Sequence, residues 1–145
     1  VYKDSLPLTL EDFGVNIEDE NYSYWMKQED SFAVNHILAK QEAPLYLQDG
    51  PGLFYDVASI KIQGLYDTIK DYYLRKYEDF DYGKFVLISD PYWGAEEVYQ
   101  IRMGDRLYYH YLLCYENRIV DLVLGFPPEQ DQIRVIRKVL MGKSL

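Results

Sequence analysis

The chain has 145 residues, of which 48% are hydrophobic and 27% charged, so it is long enough for one domain with a sizeable core. Its net charge is −9 and its basic residues are scattered, which argues against nucleic-acid binding, because phosphates are usually met by clustered Lys and Arg. The single cysteine excludes an internal disulfide, and no apolar run approaches the ~18–20 residues that span a bilayer.

The segment LPLTLEDFG, residues 6–14, predicts a short helical turn. Thr9 and Asp12 have the three-residue spacing of a capping box, which satisfies the free backbone N–H groups at a helix start. Gly14 follows as a terminator, because glycine readily adopts the left-handed conformation that ends helices. An acidic connector at residues 16–21 leads to the first strand.

Residues 22–41 predict a β-hairpin. The stretch YSYWMKQ at 22–28 alternates, so Tyr24 and Trp25 project to opposite faces of its strand. A Glu-Asp-Ser turn follows, and SFAVNHILAKQ at 31–41 forms the second strand. Alanine and leucine are compatible with either structure, so a helix over 31–41 is the alternative.

A loop, a strand and a helix follow in the middle of the chain. PLYLQDGPG at 44–52 is rich in Pro and Gly and predicts a loop. LFYDVASIKI at 53–62 predicts a strand. Residues 64–77 then change to helical spacing, with one side formed by Leu65, Ile69, Tyr72, Tyr73 and Lys76.

The C-terminal half alternates between strands and turns and ends in a helix. A PYWG turn and a turn at Asn117 separate strands, because Asn tolerates the left-handed conformation of tight turns. Two prolines then suit the start of a helix. The predicted strands are 84–90, 97–103, 107–115 and 119–126, and the stripe of the last helix is Ile133, Ile136, Val139 and Leu140.

These elements indicate the α+β class. Several consecutive strands with short connections imply an antiparallel meander, and the apolar stripes of the two main helices need a surface to cover. We therefore expect a single α+β domain over residues 1–145, with an antiparallel meander sheet and two main helices packed on one face of it.

His110 and Cys114 are the one pair that resembles a thiol beside its base. If residues 107–126 are extended, the two side chains point the same way but lie about 13 Å apart, at ~3.3 Å per residue. They are then too far apart to share a proton, and the cysteine acts as a small buried hydrophobe. We expect the extended arrangement, without a catalytic pair, because the sequence around His110 and Cys114 is rich in strand-forming residues.

No other cluster matches a reaction centre. Zinc ligands usually come in close-set pairs, and the sequence has no C-x-x-C, H-x-x-x-H or H-E-x-x-H spacing. Phosphate-binding loops and G-x-S-x-G motifs are missing too. The acidic runs are typical of solvated edges. We therefore predict no metal, no other cofactor and no catalytic residue.

Aromatic residues supply the candidate binding site. Tyr92 and Trp93 lie in the PYWG turn, and together with Tyr24 and Trp25 they are the candidate recognition surface. Exposed aromatic rings lower the solubility of a domain, so rings at a turn indicate a binding role. The alternative for Trp93 is that it folds back to cap the sheet. Aromatic side chains with a polar tip do both.

Three stretches together resemble a known kind of protein: DSLPLTLED at 4–12, YSY at 22–24 with SF at 31–32, and residues 108–121 with their Glu-Asn-Arg turn before a closing helix. They are similar to soluble regions of uncharacterised multi-pass membrane proteins of Gram-positive bacteria. The resemblance implies a water-soluble domain cut from a larger membrane protein, which agrees with a chain that begins with Val instead of Met. It transfers no site residues.

We therefore expect a non-enzymatic binding or accessory domain of a bacterial membrane-associated protein, which recognises a protein or peptide. It faces outward and is attached through segments that are not in this chain, without direct membrane insertion of its own. The alternative is an aromatic-lined carbohydrate-binding module. The third hypothesis is a small hydrolase that depends on a pair of carboxylates.

Overall fold

A computed structural model describes residues 5–17, 20–44, 46, 50–78, 83–101 and 109–142. These residues form one antiparallel sheet of seven strands and two α-helices. The helices are α1 (Tyr66–Arg75) and α2 (Gln130–Leu140). The strands are β1 (Ser23–Asp30), β2 (Val34–Glu42), β3 (Leu53–Ile60), β4 (Phe85–Ile88), β5 (Glu97–Ile101), β6 (Tyr109–Cys114) and β7 (Arg118–Leu124).

The sheet consists of two meanders joined along one seam. Its strand order is β1-β2-β3-β7-β6-β5-β4, and every neighbouring pair is antiparallel. The connection that contains α1 leaves β3 at the centre and enters β4 at the far edge. The chain then returns strand by strand until β7 pairs with β3. The predicted α+β class, with an antiparallel meander and two main helices, is confirmed.

The larger core lies on the face of the sheet that α2 covers, which we call the α2 face. Strand residues of this face alternate with residues of the opposite face, as the pleat requires. A 3₁₀ turn, Leu10–Phe13, packs beside α2 on the same face. The apolar residues of this larger core include Tyr55, Tyr111, Leu113, Val120, Leu122, Ile133, Ile136 and Leu140.

A smaller core lies on the opposite face, the α1 face. Tyr73 of α1 covers Ala58 and Ile60 of β3 and the buried side chains of β6 and β7. The expectation that both helices pack on one face is therefore wrong. The reason is visible in the two central C-terminal strands: β6 and β7 are buried on both sides, so the sheet needs a helix against each face.

Most local predictions hold. The backbone N–H of Thr9 donates to Asp12 Oδ2 at 2.9 Å, and Gly14 ends the turn at φ 78°. The segment predicted as strand or helix at 31–41 is strand. Parts of four predicted elements (the 16–21 connector, the 44–52 loop, and the strands at 97–103 and 107–115) lie outside the described residues. In the part of the chain that is described, no helix has the length and apolar character needed to cross a bilayer.

Candidate functional site

Two buried aspartates lie side by side at the centre of the sheet. Asp56 of β3 and Asp121 of β7 are directly paired across the strand register, and both project to the α1 face. Both are buried. A carboxylate removed from water is strongly unfavourable unless donors compensate it, so the surroundings of this pair are decisive.

Asp121 is held by a histidine and a tyrosine. His110 Nε2 of β6 lies 2.5 Å from its Oδ1, and the hydroxyl of Tyr77, just beyond the end of α1, donates to its Oδ2 at 2.5 Å. The ammonium of Lys76 lies 3.8 Å from the same Oδ2. Both carboxylate oxygens therefore have a partner, and a cation stands nearby.

Asp56 has a matching pair of partners. The hydroxyl of Tyr73 donates to its Oδ2 at 2.6 Å, and His36 Nδ1 lies 3.2 Å from its Oδ1. Tyr73 and Tyr77 are four residues apart, so one stretch of chain supplies both hydroxyls. We call this group the twin carboxylate cluster; its members are His36, Asp56, Tyr73, Tyr77, His110 and Asp121.

The strand register repeats within the cluster. His36 pairs with Ala58, two residues beyond Asp56, and His110 pairs with Val123, two residues beyond Asp121. Each histidine thus reaches its aspartate diagonally from the neighbouring strand. Both histidines of the chain belong to the cluster.

The chemistry of the cluster favours a structural role. Burial and the adjacent Asp56 carboxylate raise the pKa of Tyr73, so its phenol stays protonated and remains a donor. Each of the four carboxylate oxygens already accepts a hydrogen bond or faces an imidazole nitrogen. A substrate would have to displace one of these partners to reach a carboxylate. The cluster therefore fastens the end of α1 to the sheet.

His110 and Cys114 do not form a dyad. Both lie on β6, four residues apart on the same face, which corresponds to about 13 Å along a strand. Burial raises the pKa of the Cys114 thiol to about 12. A reactive thiolate is therefore scarce near neutral pH. The prediction that this segment is extended is confirmed for the strands Tyr109–Cys114 and Arg118–Leu124.

Trp93 folds back into the core, as the alternative prediction had it. The ring is fully buried and packs against Tyr111 with the centroids 5.3 Å apart, while its indole N–H donates to Asp90 Oδ2 at 3.1 Å. Tyr92 is half-buried, with the guanidinium of Arg134 5.6 Å from its ring centroid. The turn thus leaves Tyr92 partly exposed to solvent and Trp93 fully buried.

Tyr24 and Trp25 lie on opposite faces of β1. Tyr24 packs on the edge of the α2 face, where its hydroxyl accepts a hydrogen bond from Gln41 Nε2 at 3.3 Å. Trp25 is 38% exposed, with Lys40 Nζ 5.9 Å from its ring centroid. Trp93 lies beside β6, four strand spacings or roughly 19 Å from β1. The fold does not bring the four predicted aromatic residues onto one surface.

The two edges of the sheet differ sharply. At β1, the exposed side chains include charged Lys27 and Glu29, whose charged groups pair at 2.7 Å. Charges of this kind protect an edge strand against pairing with another chain. At β4 all four residues are apolar, and Val86 and Leu87 are 57% and 58% exposed. Within the described residues, no strand pairs with the outer side of β4.

Strand β4 is anchored by the twin carboxylate cluster. The ring of Phe85 contacts the imidazole of His110 edge-on, with centroids 5.1 Å apart, and the ring of Tyr77 at 5.9 Å. Leu87 projects to the same face as Phe85, and Val86 to the α2 face, because neighbouring strand residues alternate. The apolar edge therefore rests on a buried, hydrogen-bonded support.

Sequence reasoning missed the twin carboxylate cluster and the apolar edge at β4. The run FVLI is visible as apolar, but only the strand order shows that it lies at an edge of the sheet. Among the described residues, no three His, Cys, Asp or Glu side chains are placed to hold a metal ion. No protein-family model matches the sequence, and comparisons with curated proteins and with solved structures find no significant match.

Proposed function

We propose that this chain is a non-enzymatic binding domain that recognises a protein or peptide, with edge strand β4 as the contact. The observation that carries the proposal is the contrast between the two sheet edges. Edge strands are usually protected by charge, and β1 follows that rule whereas β4 does not. An exposed apolar edge is a cost to a domain that never covers it.

The energy at stake is modest and suits a reversible contact. Full burial of a Val or Leu side chain is worth about 1.5–3 kcal/mol relative to full exposure. Val86 and Leu87 are each a little over half exposed, so covering both contributes roughly 2–3 kcal/mol. Backbone hydrogen bonds along the edge add to this.

The geometry gives the other hypotheses less support. A carbohydrate-binding module needs rings gathered on one surface, and Tyr24, Trp25 and Trp93 are dispersed. A hydrolase needs an accessible carboxylate pair, and the aspartates of the twin carboxylate cluster are already engaged. Attachment to a bacterial membrane protein stays a prediction from the sequence resemblance.

A displayed library of random peptides tests the proposal. Selection on the wild-type domain is expected to enrich peptides that bind with micromolar Kd, measured afterwards by calorimetry on synthetic peptides. The variants Val86→Lys and Leu87→Lys should weaken this binding at least tenfold, because a charge replaces the apolar contact at an exposed position.

The matched control is Val135→Lys, which makes the same change at an apolar residue of α2 that is 67% exposed. It should leave Kd unchanged. A library that yields no micromolar peptide, or peptides that bind the β4 variants as well as the wild type, overturns the proposal.

A further inference from the structure

We infer that the partner binds as an added β-strand along β4, and that it is an extended peptide with two or more consecutive apolar residues next to basic ones. This inference rests on the proposed function. It specifies the conformation and the chemistry of the partner.

The backbone of β4 determines the conformation. One side of β4 pairs with β5, in register from Phe85 with Ile101 to Ile88 with Val98. In an antiparallel pair, the N–H and C=O groups of every second residue point away from the neighbour. On its outer side β4 therefore offers a short row of donors and acceptors, and a strand matches such a row with its own backbone groups.

The side chains determine the pattern of the partner. Val86 lies on the α2 face and Leu87 on the α1 face, so the edge is apolar on both sides of the sheet. An added strand also alternates, and directly opposed residues of neighbouring strands project to the same face. Two consecutive apolar residues in the peptide therefore contact both Val86 and Leu87.

A second copy of this chain fits the edge less well. The four residues of β4 span only about 14 Å, and pairing along that length falls far short of the roughly 1,200 Å² that stable interfaces bury. Each copy also carries a net charge of −9, so two copies repel one another. A basic peptide is not repelled in this way, and the micromolar Kd expected of it does not require an interface of that size.

Charge favours a basic peptide. Asp90 follows β4 by two residues, where its carboxylate accepts a hydrogen bond from the indole N–H of Trp93, and the exposed Glu96 lies just before β5. The acidic chain as a whole also attracts cations and speeds their encounter. Basic residues beside the apolar pair of the peptide are therefore complementary to the net charge of −9.

The test uses a capped synthetic peptide, acetyl-Lys-Lys-Val-Ile-Val-Val-amide, titrated into ¹⁵N-labelled protein. Amide shifts are expected to concentrate on β4 and β5. Methylation of two alternate backbone nitrogens in the peptide, on the side that faces β4, should weaken binding at least tenfold, because it removes donors without changing the side chains. Replacing both lysines by glutamates should weaken it several-fold at low salt.

The outcomes separate the inference from the proposed function. If the methylated peptide binds as tightly as its parent, or library-selected peptides bind at β4 while this peptide does not, strand addition of a basic peptide is refuted and the binding role stands. If library selection also fails, the binding role falls with it. A dimer in sedimentation that Leu87→Lys dissociates and Val135→Lys leaves intact assigns the edge to a second copy and refutes the inference.

Discussion

Replacement of Tyr73 by Phe tests the twin carboxylate cluster by removing a single hydroxyl group. The substitution keeps the buried ring and removes the hydroxyl that donates to Asp56 Oδ2 at 2.6 Å and lies 3.3 Å from His36 Nδ1. Asp56 then keeps only the imidazole contact at 3.2 Å. A carboxylate with a missing donor stays buried at a cost.

The size of the effect follows from the charge of the acceptor. Hydrogen bonds to charged groups contribute about 1.5–3 kcal/mol, roughly twice the value for neutral pairs. We expect Tyr73→Phe to lower the free energy of unfolding by that amount. With an m-value of about 2 kcal/mol per M in urea, the midpoint falls by about 0.7–1.5 M and the slope stays the same.

Urea unfolding followed by far-UV circular dichroism measures the change. The matched control is Tyr72→Phe, because Tyr72 is the neighbouring tyrosine of α1 and is 61% exposed. It should stay within about 0.5 kcal/mol of the wild type. A loss below 0.5 kcal/mol for Tyr73→Phe, or an equal loss for both variants, would refute the reasoning about the buried carboxylate.

Three further outcomes are expected. Cys114 should resist thiol reagents at neutral pH in the folded protein and react fully in urea, because burial raises the pKa of its thiol to about 12; fast labelling of the native state would contradict this. The hydrogen bond from Lys70 lowers the pKa of Glu97, so the pair stabilises the fold above the ordinary Glu pKa and loses that effect as the pH falls through the lowered one. Glu97→Gln should therefore cost about 0.2–1 kcal/mol at pH 7 in chemical denaturation, and the difference should shrink as the pH falls through the lowered pKa of Glu97. In the Trp25→Phe variant, the fluorescence of the buried Trp93 should be blue-shifted and insensitive to acrylamide. In the Trp93→Phe variant, acrylamide should quench the fluorescence of the partly exposed Trp25. Equal quenching of the two variants would place Trp93 at the surface.

The strands and helices were largely predictable from the sequence because their signals are local. Alternation over residues 22–41 identified the hairpin, and the spacing of Thr9 and Asp12 identified the capping box. The stripe that begins at Ile133 gave the buried side of α2. Each of these signals lies within one turn or one hairpin of the chain.

The strand order was not predictable, because nothing in the sequence near β3 indicates that β7 is its neighbour. Without that pairing, neither the placement of the helices on opposite faces nor the position of β4 at the end of the strand order can be derived. The twin carboxylate cluster depends on the same pairing. One signal was present nevertheless: Asp56 and Asp121 each interrupt an apolar strand, and a buried carboxylate requires partners. The two histidines were the obvious candidates.

The pairing of β3 with β7 has a consequence for how the chain acquires its structure. Ser59 lies opposite Arg118 and Leu53 lies opposite Leu124 in the strand register, so the middle of the sheet joins segments that are far apart in the chain. A nascent polypeptide therefore leaves the β7 side of β3 unpaired until residues 118–124 have left the ribosome. Contacts of such high order slow folding, and a chain released before residue 118 would lack the strand that pairs with both β3 and β6.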